Sequence, residues 1–134
     1  MAIQRLDNIG VAVRDVERVA RFFADQVGLP TELDLAGEPP SAQVSVGEQY
    51  LYLFRTTDTA GPTKRLPDLV GNPQGLDHVS FTVDDVDRTY AELVERGVAF
   101  DAEPATEQAW NIRLAGFADP EGNRYYLVQS LSAA

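Results

Sequence analysis

The chain contains one pattern twice, and this internal repeat restricts the folds open to it more than any other feature. Residues 6–18 align without gaps with residues 76–88, at a constant offset of 70 positions. Six of the 13 aligned pairs are identical. A later segment of the first half, 49–54, likewise matches 123–128 of the second half. A duplication of this kind indicates two copies of one supersecondary unit.

Each copy begins with the pattern of a strand followed by a helix. Ile9, Val11 and Val13 alternate with smaller or more polar residues, which is the period of a half-buried strand, and the second copy alternates likewise. An aspartate follows, Asp15 or Asp85, and its carboxylate can cap a helix. Apolar residues then recur at helical spacing up to a glycine: Val16, Val19, Ala20, Phe23 and Val27 before Gly28, and Val86, Tyr90, Leu93 and Val94 before Gly97.

Three shorter strands are predicted after each helix. The strand-like segments are 31–35, 42–46, 49–56, 99–103, 111–118 and 124–131. A turn at 119–123 connects the last two, because Pro120 pre-sets the second turn position and Gly122 or Asn123 can take positive φ. The predicted fold class is therefore α+β, with two repeated βαβββ modules.

The length and the join between the copies predict the organisation of the chain. With 134 residues we expect a single domain 1–134, made of module 1–56, linker 57–74 and module 75–134. The linker is most simply a solvated connection, although it could fold over one end of a cleft. Because one helix covers only one face of each sheet, the two remaining faces can enclose a curved mixed-sheet cleft that holds a ligand.

Charge and composition exclude several classes of partner. The 11 basic and 21 acidic residues give a formal charge of −10, which repels nucleic acid and anionic membranes. No apolar run approaches the roughly 20 residues that a membrane-spanning helix needs. The chain has no cysteine, which excludes disulfides and thiolate metal sites and fits a cytoplasmic location.

These motifs together resemble the vicinal oxygen chelate superfamily, which contains glyoxalase I, extradiol dioxygenases, fosfomycin-modifying enzymes and bleomycin-binding resistance proteins. The resemblance covers almost the whole chain. It rests on the Leu-Asp-Asn/His opening of each module, the Asp-Val helix start and the Asp-Pro-Glu-Gly-Asn turn before the last strand. It implies the paired-module fold and, in the metal-dependent members, a divalent ion in the cleft.

The positions where the resemblance implies metal ligands hold Asn8, Tyr52, His78 and Tyr126. In metal-dependent members the residue after the opening Leu-Asp is often histidine, and a glutamate commonly lies three residues beyond the asparagine of the final turn. One imidazole, one amide and two phenols are a poor set for zinc, iron, nickel or manganese. We therefore expect no metal ion and no other cofactor.

Without a metal, the same residues suit an organic ligand. The amide, the imidazole and the phenols can form hydrogen bonds, and the aromatic rings supply stacking surface. Phe54 shares a strand face with Tyr52, and Trp110 is a candidate for a further wall of the pocket. The predicted partner is a small hydrophobic or aromatic molecule, and the predicted ligand-binding residues are Asn8, Tyr52, Phe54, His78, Trp110 and Tyr126.

Three functions stay open at this point. The preferred one is a metal-free binding protein that sequesters a metabolite or drug, as the resistance proteins of the superfamily do. The alternative is a lyase, isomerase or dioxygenase-like enzyme that uses His78, with or without an atypical metal site. The third is a structural or regulatory module, in which His78 is a structural histidine, Tyr52 and Tyr126 are ordinary strand aromatics and Trp110 is an anchor. Exposed sheet edges and the resemblance also predict a homodimer.

Overall fold

The computed structural model describes residues 2–58, 60–61 and 65–132, and the chain divides into two compact units, Met1–Gly61 and Pro62–Ala134. The elements of unit 1 are β1 (Asn8–Val13), α1 (Val16–Arg21), a π-helical segment Phe22–Val27, β2 (Thr31–Asp34), β3 (Ser41–Val46) and β4 (Gln49–Arg55). Those of unit 2 are a 3-10 turn Leu69–Gly71, β5 (His78–Thr82), α2 (Val86–Glu95), β6 (Ala105–Glu107), a 3-10 turn Gln108–Trp110, β7 (Ile112–Ala118) and β8 (Arg124–Ser130).

Each unit forms one four-stranded mixed sheet. The strand order is β1-β4-β3-β2 in unit 1 and β5-β8-β7-β6 in unit 2. In both sheets the first strand of the unit runs parallel to the last, and the other neighbouring strands are antiparallel. The predicted α+β class and the repeated βαβββ order are therefore confirmed.

The boundary between the units falls inside the predicted linker 57–74. Residues 59 and 62–64 of this linker lie outside the described residues. The organisation as a single domain stays a prediction.

Both helices begin at the predicted aspartates. Oδ1 of Asp15 accepts a hydrogen bond from the backbone N–H of Arg18 at 3.0 Å, and Oδ1 of Asp85 accepts one from Arg88 at 3.1 Å. These bonds satisfy first-turn N–H groups that have no partner inside the helix. In the described part of the chain, no helix is long and apolar enough to cross a membrane.

The first helix widens after Arg21, where the sequence pattern predicts one regular helix. Phe22–Val27 form a π-helical segment that ends at Gly28, whose φ of 85° lies in the left-handed region. Phe22 and Phe23 are both buried, and their rings meet edge to face with centroids 5.1 Å apart. In a regular α-helix the side chains of adjacent residues point about 100° apart. The wider π-helical turn occurs at the place where two adjacent rings, Phe22 and Phe23, are both buried.

The helix of each unit covers one face of its own sheet. α1 packs against β3 and β4, and α2 packs against β7 and β8. The buried apolar side chains belong to the helical segments and to the strands of the covered faces; they include Val13, Val19, Phe23, Val44, Leu51 and Leu53 in unit 1, and Val86, Leu93, Phe117, Tyr125 and Leu127 in unit 2. We term the opposite face of each sheet its helix-free face, which carries Asn8, Gly10 and Ala12 on β1 and His78, Ser80 and Thr82 on β5.

The predicted turn at 119–123 joins β7 to β8 and is built around one buried carboxylate. Asp119 accepts hydrogen bonds from the backbone N–H groups of Glu121 and Asn123, at 2.8 and 3.1 Å. It also accepts from the amide Nδ2 of Asn123 at 3.0 Å and from the Tyr125 hydroxyl at 2.9 Å. Burial raises the pKa of Asp119, and the four hydrogen bonds act in the opposite direction. The motif is therefore part of the core of unit 2.

The strand predicted at 99–103 is not formed. Phe100 makes an isolated bridge to Phe117, and β6 begins later, at Ala105. The Phe100 ring packs edge to face against Tyr90 and Phe117, with centroids 4.8 and 5.4 Å away. Phe100 thus packs against aromatic residues of unit 2 and does not belong to a strand. The exposed residues of β6 pair with β7 instead.

Candidate functional site

The helix-free face of unit 1 carries two stacked aromatic rings. The parallel register of β1 and β4 places Gly10 beside Tyr52 and Ala12 beside Phe54. The Tyr52 and Phe54 ring centroids are 5.6 Å apart, and the ring planes differ by 25°. Cε1 of Phe54 lies 3.6 Å from the point where a Cβ on Gly10 would stand, so the ring lies against the glycine. Both side chains are half-buried. They therefore present an apolar surface on which a flat molecule can stack.

A carboxylate orients Asn8 beside this aromatic pair. Oδ2 of Asp7 accepts hydrogen bonds from Nδ2 of Asn8 at 2.9 Å and from the Tyr50 hydroxyl at 3.3 Å. Partial burial, followed by the Asp7 charge, raises the pKa of Tyr50, so this phenol remains a donor at neutral pH. Asn8 is exposed and held in place, so it can contribute a hydrogen bond to a ligand.

In unit 2 the equivalent position holds His78, and its partner is again the preceding aspartate. Nδ1 of His78 lies 2.8 Å from Oδ2 of Asp77, and Nδ2 of Asn72 donates to Oδ1 of Asp77 at 2.8 Å. The hydrogen bond from His78, and after it that from Asn72, lowers the pKa of Asp77. An ionised Asp77 is therefore flanked by two donors, and it fixes the orientation of the imidazole.

The Tyr126 ring lies directly against the His78 ring. Their centroids are 4.7 Å apart and the planes are at 79°. The guanidinium carbon of Arg124 lies 5.7 Å from the centroid of the Tyr126 ring, which is within the range of a cation–π contact. Arg124 is 4% exposed in its side chain and forms a bidentate ion pair with Asp101, which raises the pKa of Arg124. A partly buried ion pair therefore supports Tyr126 from one side.

Gly116 makes room for this arrangement. It lies beside Tyr126 in the register of β7 and β8. A Cβ at this position would stand 2.7 Å from Cε1 of Tyr126 and 2.7 Å from Oδ2 of Asp101. Real Cβ atoms do not approach neighbours so closely, so the ring and the carboxylate together require glycine here.

Trp110 is the one predicted site residue that unit 2 does not bring next to Tyr126. It ends the 3-10 turn before β7 and is 61% exposed. Gly116, the neighbour of Tyr126, lies four residues beyond Ile112, which is about 13 Å along the strand. A ligand contact of Trp110 stays a prediction.

The sequence analysis did not single out Asn72, Asp77, Asp101 or Gly116 as site residues. The repeat could have pointed to Asp77, because the aspartate next to the single histidine recurs as Asp7 next to Asn8 in the other copy. Asn72 and Asp101 lie in segments with no repeat partner in the motif, and their contacts come from chain folding. The Asn72 side chain also bonds the backbone N–H and C=O of Leu66, at 2.8 and 2.9 Å, so part of the linker is tied to Asp77.

The residues at the implied ligand positions do not fit a divalent transition metal. They offer an amide and a phenol in unit 1, and an imidazole and a phenol in unit 2. Within the described ranges, no group of three or more His, Cys, Asp or Glu side chains is placed to hold a metal ion. Zinc, iron and manganese sites in proteins are built chiefly from imidazole and carboxylate or thiolate.

The chain matches a known family over most of its length. The model of the Glyoxalase/Bleomycin resistance protein/Dioxygenase superfamily matches residues 5–126. The chain therefore belongs to this superfamily. The resemblance on which the sequence analysis relied is confirmed.

The chain is also similar to individual proteins over nearly its whole length. The uncharacterized protein YraH of Bacillus subtilis (strain 168) is 33% identical over 130 residues, which cover 95% of this chain and 99% of YraH. A glyoxalase family protein from Enterococcus faecalis has a TM-score of 0.74 at 17% identity, covering 96% of this chain and 100% of its own. The fosfomycin resistance protein FosX from Listeria monocytogenes has a TM-score of 0.70 at 14% identity, covering 96% and 94%. At these identities the two solved structures show the fold alone.

Proposed function

We propose that this protein binds and sequesters a small, flat, largely apolar molecule without a metal ion. The observation that carries the proposal is the stacked Tyr52–Phe54 pair on the helix-free face of unit 1. Aromatic contacts of this kind are worth about 0.5–1.5 kcal/mol per pair beyond the area they bury. The neighbouring Asn8 amide supplies a polar contact, and apolar walls with a few placed polar groups are the usual composition of small-molecule sites.

The helix-free face of unit 2 supports the same proposal. Tyr126 offers a ring, and His78 offers a nitrogen whose orientation is set by Asp77. The charge of Arg124 is paired with Asp101, so it does not dominate the face. A mainly apolar ligand with a few polar atoms suits such a surface better than a multiply charged one.

Family membership supports sequestration of a drug or metabolite. The superfamily includes bleomycin resistance proteins, and one of the structural neighbours is a fosfomycin resistance protein. We extend to this chain only the class of ligand-binding protein, because the residues at the implied metal-ligand positions, Asn8, Tyr52, His78 and Tyr126, do not suit a divalent ion.

A screen of planar aromatic compounds tests the proposal. Purified protein, dialysed against a chelator, is heated with each compound, and binding raises the melting temperature because the ligand stabilises only the folded state. We expect hits that mass spectrometry recovers chemically unchanged. A broad panel that gives no shift in melting temperature would contradict the proposal and favour a module without a ligand.

A second candidate function is an acid–base enzyme, and the 2.8 Å contact of His78 with Asp77 favours it. A carboxylate that orients an imidazole is a common arrangement for a general base. This function predicts that a bound compound is isomerised or cleaved over time and that His78→Ala stops the conversion while binding persists. Recovery of every hit unchanged would contradict it.

The homodimer is also a proposal. Each sheet ends in two edge strands, β1 and β2 in unit 1 and β5 and β6 in unit 2, and proteins commonly cover such edges by pairing. Light scattering at micromolar concentration should give twice the 14.7 kDa of one chain. A monomer mass would contradict the dimer. The cytoplasmic location, inferred from the absence of cysteine, stays a prediction.

A further inference from the structure

The side chains of Asn72 and His78 are linked through Asp77 by two hydrogen bonds that converge on its carboxylate. Asn72 donates from Nδ2 to one carboxylate oxygen of Asp77, and the other oxygen lies 2.8 Å from Nδ1 of His78. An ionised carboxylate can only accept, so the proton of this contact belongs to Nδ1. The lowered pKa of Asp77 agrees with its ionised state.

When the imidazole is neutral, donation from Nδ1 to Asp77 leaves Nε2 of His78 as an acceptor. In a neutral imidazole one ring nitrogen donates and the other accepts. No described residue of unit 2, within 65–132, forms a hydrogen bond with Nε2, and the side chain is 29% exposed. The helix-free face of unit 2 therefore presents a nitrogen lone pair next to an aromatic ring.

The surrounding charges favour a neutral donor over an anion. Both guanidinium ends of Arg124 are engaged by Asp101, so this cation is not available to pair with a ligand carboxylate. The Asp77 carboxylate lies directly behind the imidazole and repels a second negative charge. A hydroxyl group satisfies the lone pair without adding charge.

We propose that Nε2 of His78 accepts a hydrogen bond from a hydroxyl group of the ligand, so that the preferred ligands are hydroxylated aromatic compounds such as phenols and enols. The ring bearing the hydroxyl contacts Tyr126, whose centroid is 4.7 Å from that of His78. Asp77 and Asn72 act as positioning residues. The inference rests on the proposed function and adds the class of ligand to it.

The test compares two probes that differ in one hydrogen-bond donor. 2-Naphthol and 2-methoxynaphthalene are titrated into the full chain by calorimetry, after dialysis against a chelator. The methyl ether is the more apolar compound, so apolar burial alone favours it. We expect 2-naphthol to bind about tenfold more tightly, since a lost hydrogen bond leaves a polar group unpaired on binding.

Substitutions test whether this preference depends on His78 and on the residues that position it. His78→Phe keeps a ring against Tyr126 and removes the acceptor, so the two probes should bind with equal affinity. Asn72→Ala should reduce the preference by a few-fold because Asp77 loses one donor. Gln74→Ala, in the same segment but bonded through its backbone oxygen, is the matched control and should leave the preference unchanged. If His78→Phe does not fold, as judged by circular dichroism, His78→Ala is read in the same way.

The outcomes separate this inference from the proposed function. If both probes bind the unaltered protein with equal affinity, the inference is wrong and the proposed function stands. If the preference for 2-naphthol survives His78→Phe, the hydroxyl is recognised elsewhere and the inference is also wrong. If neither probe binds, the inference is wrong, and the broad panel of planar aromatic compounds decides separately whether the proposed function also fails.

Discussion

Single carboxylates orient Asn8 and His78, the polar side chains at equivalent positions of the two units. Asp7 and Asp77 occupy equivalent positions of the repeat, and each accepts a hydrogen bond from the side chain of the next residue, Asn8 or His78. One difference between the copies thus exchanges an amide for an imidazole while the orienting aspartate is kept. The chemistry of the two helix-free faces therefore differs at this position.

Asp119→Ala should be strongly destabilising. The carboxylate is 4% exposed and accepts four hydrogen bonds, and its loss leaves the buried Tyr125 hydroxyl and the turn N–H groups without their acceptor. We expect a loss of about 2–4 kcal/mol in the free energy of unfolding, measured by urea denaturation.

Asp58→Ala is the control for this substitution. Asp58 also accepts a backbone hydrogen bond, from Ala60, but it is exposed, so we expect a change within about 0.5 kcal/mol. Equal effects of the two substitutions would show that burial of the Asp119 network contributes little.

The sequence predicted part of the site at this scale. The period of two residues placed Tyr52 and Phe54 on one strand face, and their rings are stacked there. No local sequence pattern predicts the ion pair of Asp101 with Arg124, because those residues are 23 positions apart and meet only when the chain after α2 packs on the sheet. The tie from Asn72 to Asp77 depends in the same way on how the linker folds back.

At the scale of strands, we predict opposite effects on stability for alanine substitutions of two glycines on the helix-free faces. Gly116→Ala would place a Cβ 2.7 Å from Tyr126 and Asp101, which forces the ring or the ion pair to move. We expect a loss of about 1–3 kcal/mol in stability by thermal or urea unfolding. Gly10→Ala would meet Phe54 at 3.6 Å, an ordinary contact, so it should be tolerated. A well-tolerated Gly116→Ala would contradict the described packing around Tyr126.

An ion pair that joins α2 to β7 predicts a pH dependence of stability. Arg113 donates two hydrogen bonds to Asp87, at 2.7 and 2.9 Å, and they lower the pKa of Asp87. Because this pKa is lower in the folded chain, the pair stabilises the fold above the unfolded pKa of about 3.9 and loses this effect as the pH falls through the folded pKa.

The melting temperatures of the unaltered chain and of Asp87→Asn should therefore differ near neutral pH and converge in acid. Glu95→Gln removes an exposed carboxylate of the same helix for which the structure describes no ion pair, and it serves as the control. A difference between the unaltered chain and Asp87→Asn that persists unchanged into strong acid would contradict the assignment.

The elements with clear periodicity were predictable, and those without it were not. Asp15 and Asp85 cap the helices as the pattern indicates. The three residues of β6 are all exposed, so this strand carries no apolar alternation, whereas the apolar pair Ala99 and Phe100 suggested a strand earlier in the chain. Pairing with β7 decided the position of β6, and such long-range pairing is not visible in a local pattern.

For the whole molecule, the repeat was the decisive sequence feature. It predicted the order of elements in both units, because a duplicated segment folds into two copies of the same supersecondary structure. Membership of the superfamily does not by itself assign the chemistry. The positions where the resemblance implies metal ligands carry Asn8, Tyr52, His78 and Tyr126, and fold similarity leaves function to the residues of the site.

A calorimetric titration of an aromatic hit into protein dialysed against a chelator tests metal-free ligand binding directly. We predict that chelator treatment leaves the affinity unchanged, and that Tyr52→Ala or Tyr126→Ala weakens it by about 1–3 kcal/mol, or roughly 5- to 150-fold. Binding that is lost on dialysis and restored by one equivalent of zinc, nickel, iron or manganese would contradict a metal-free site. Affinity indifferent to both tyrosine substitutions would place the ligand elsewhere.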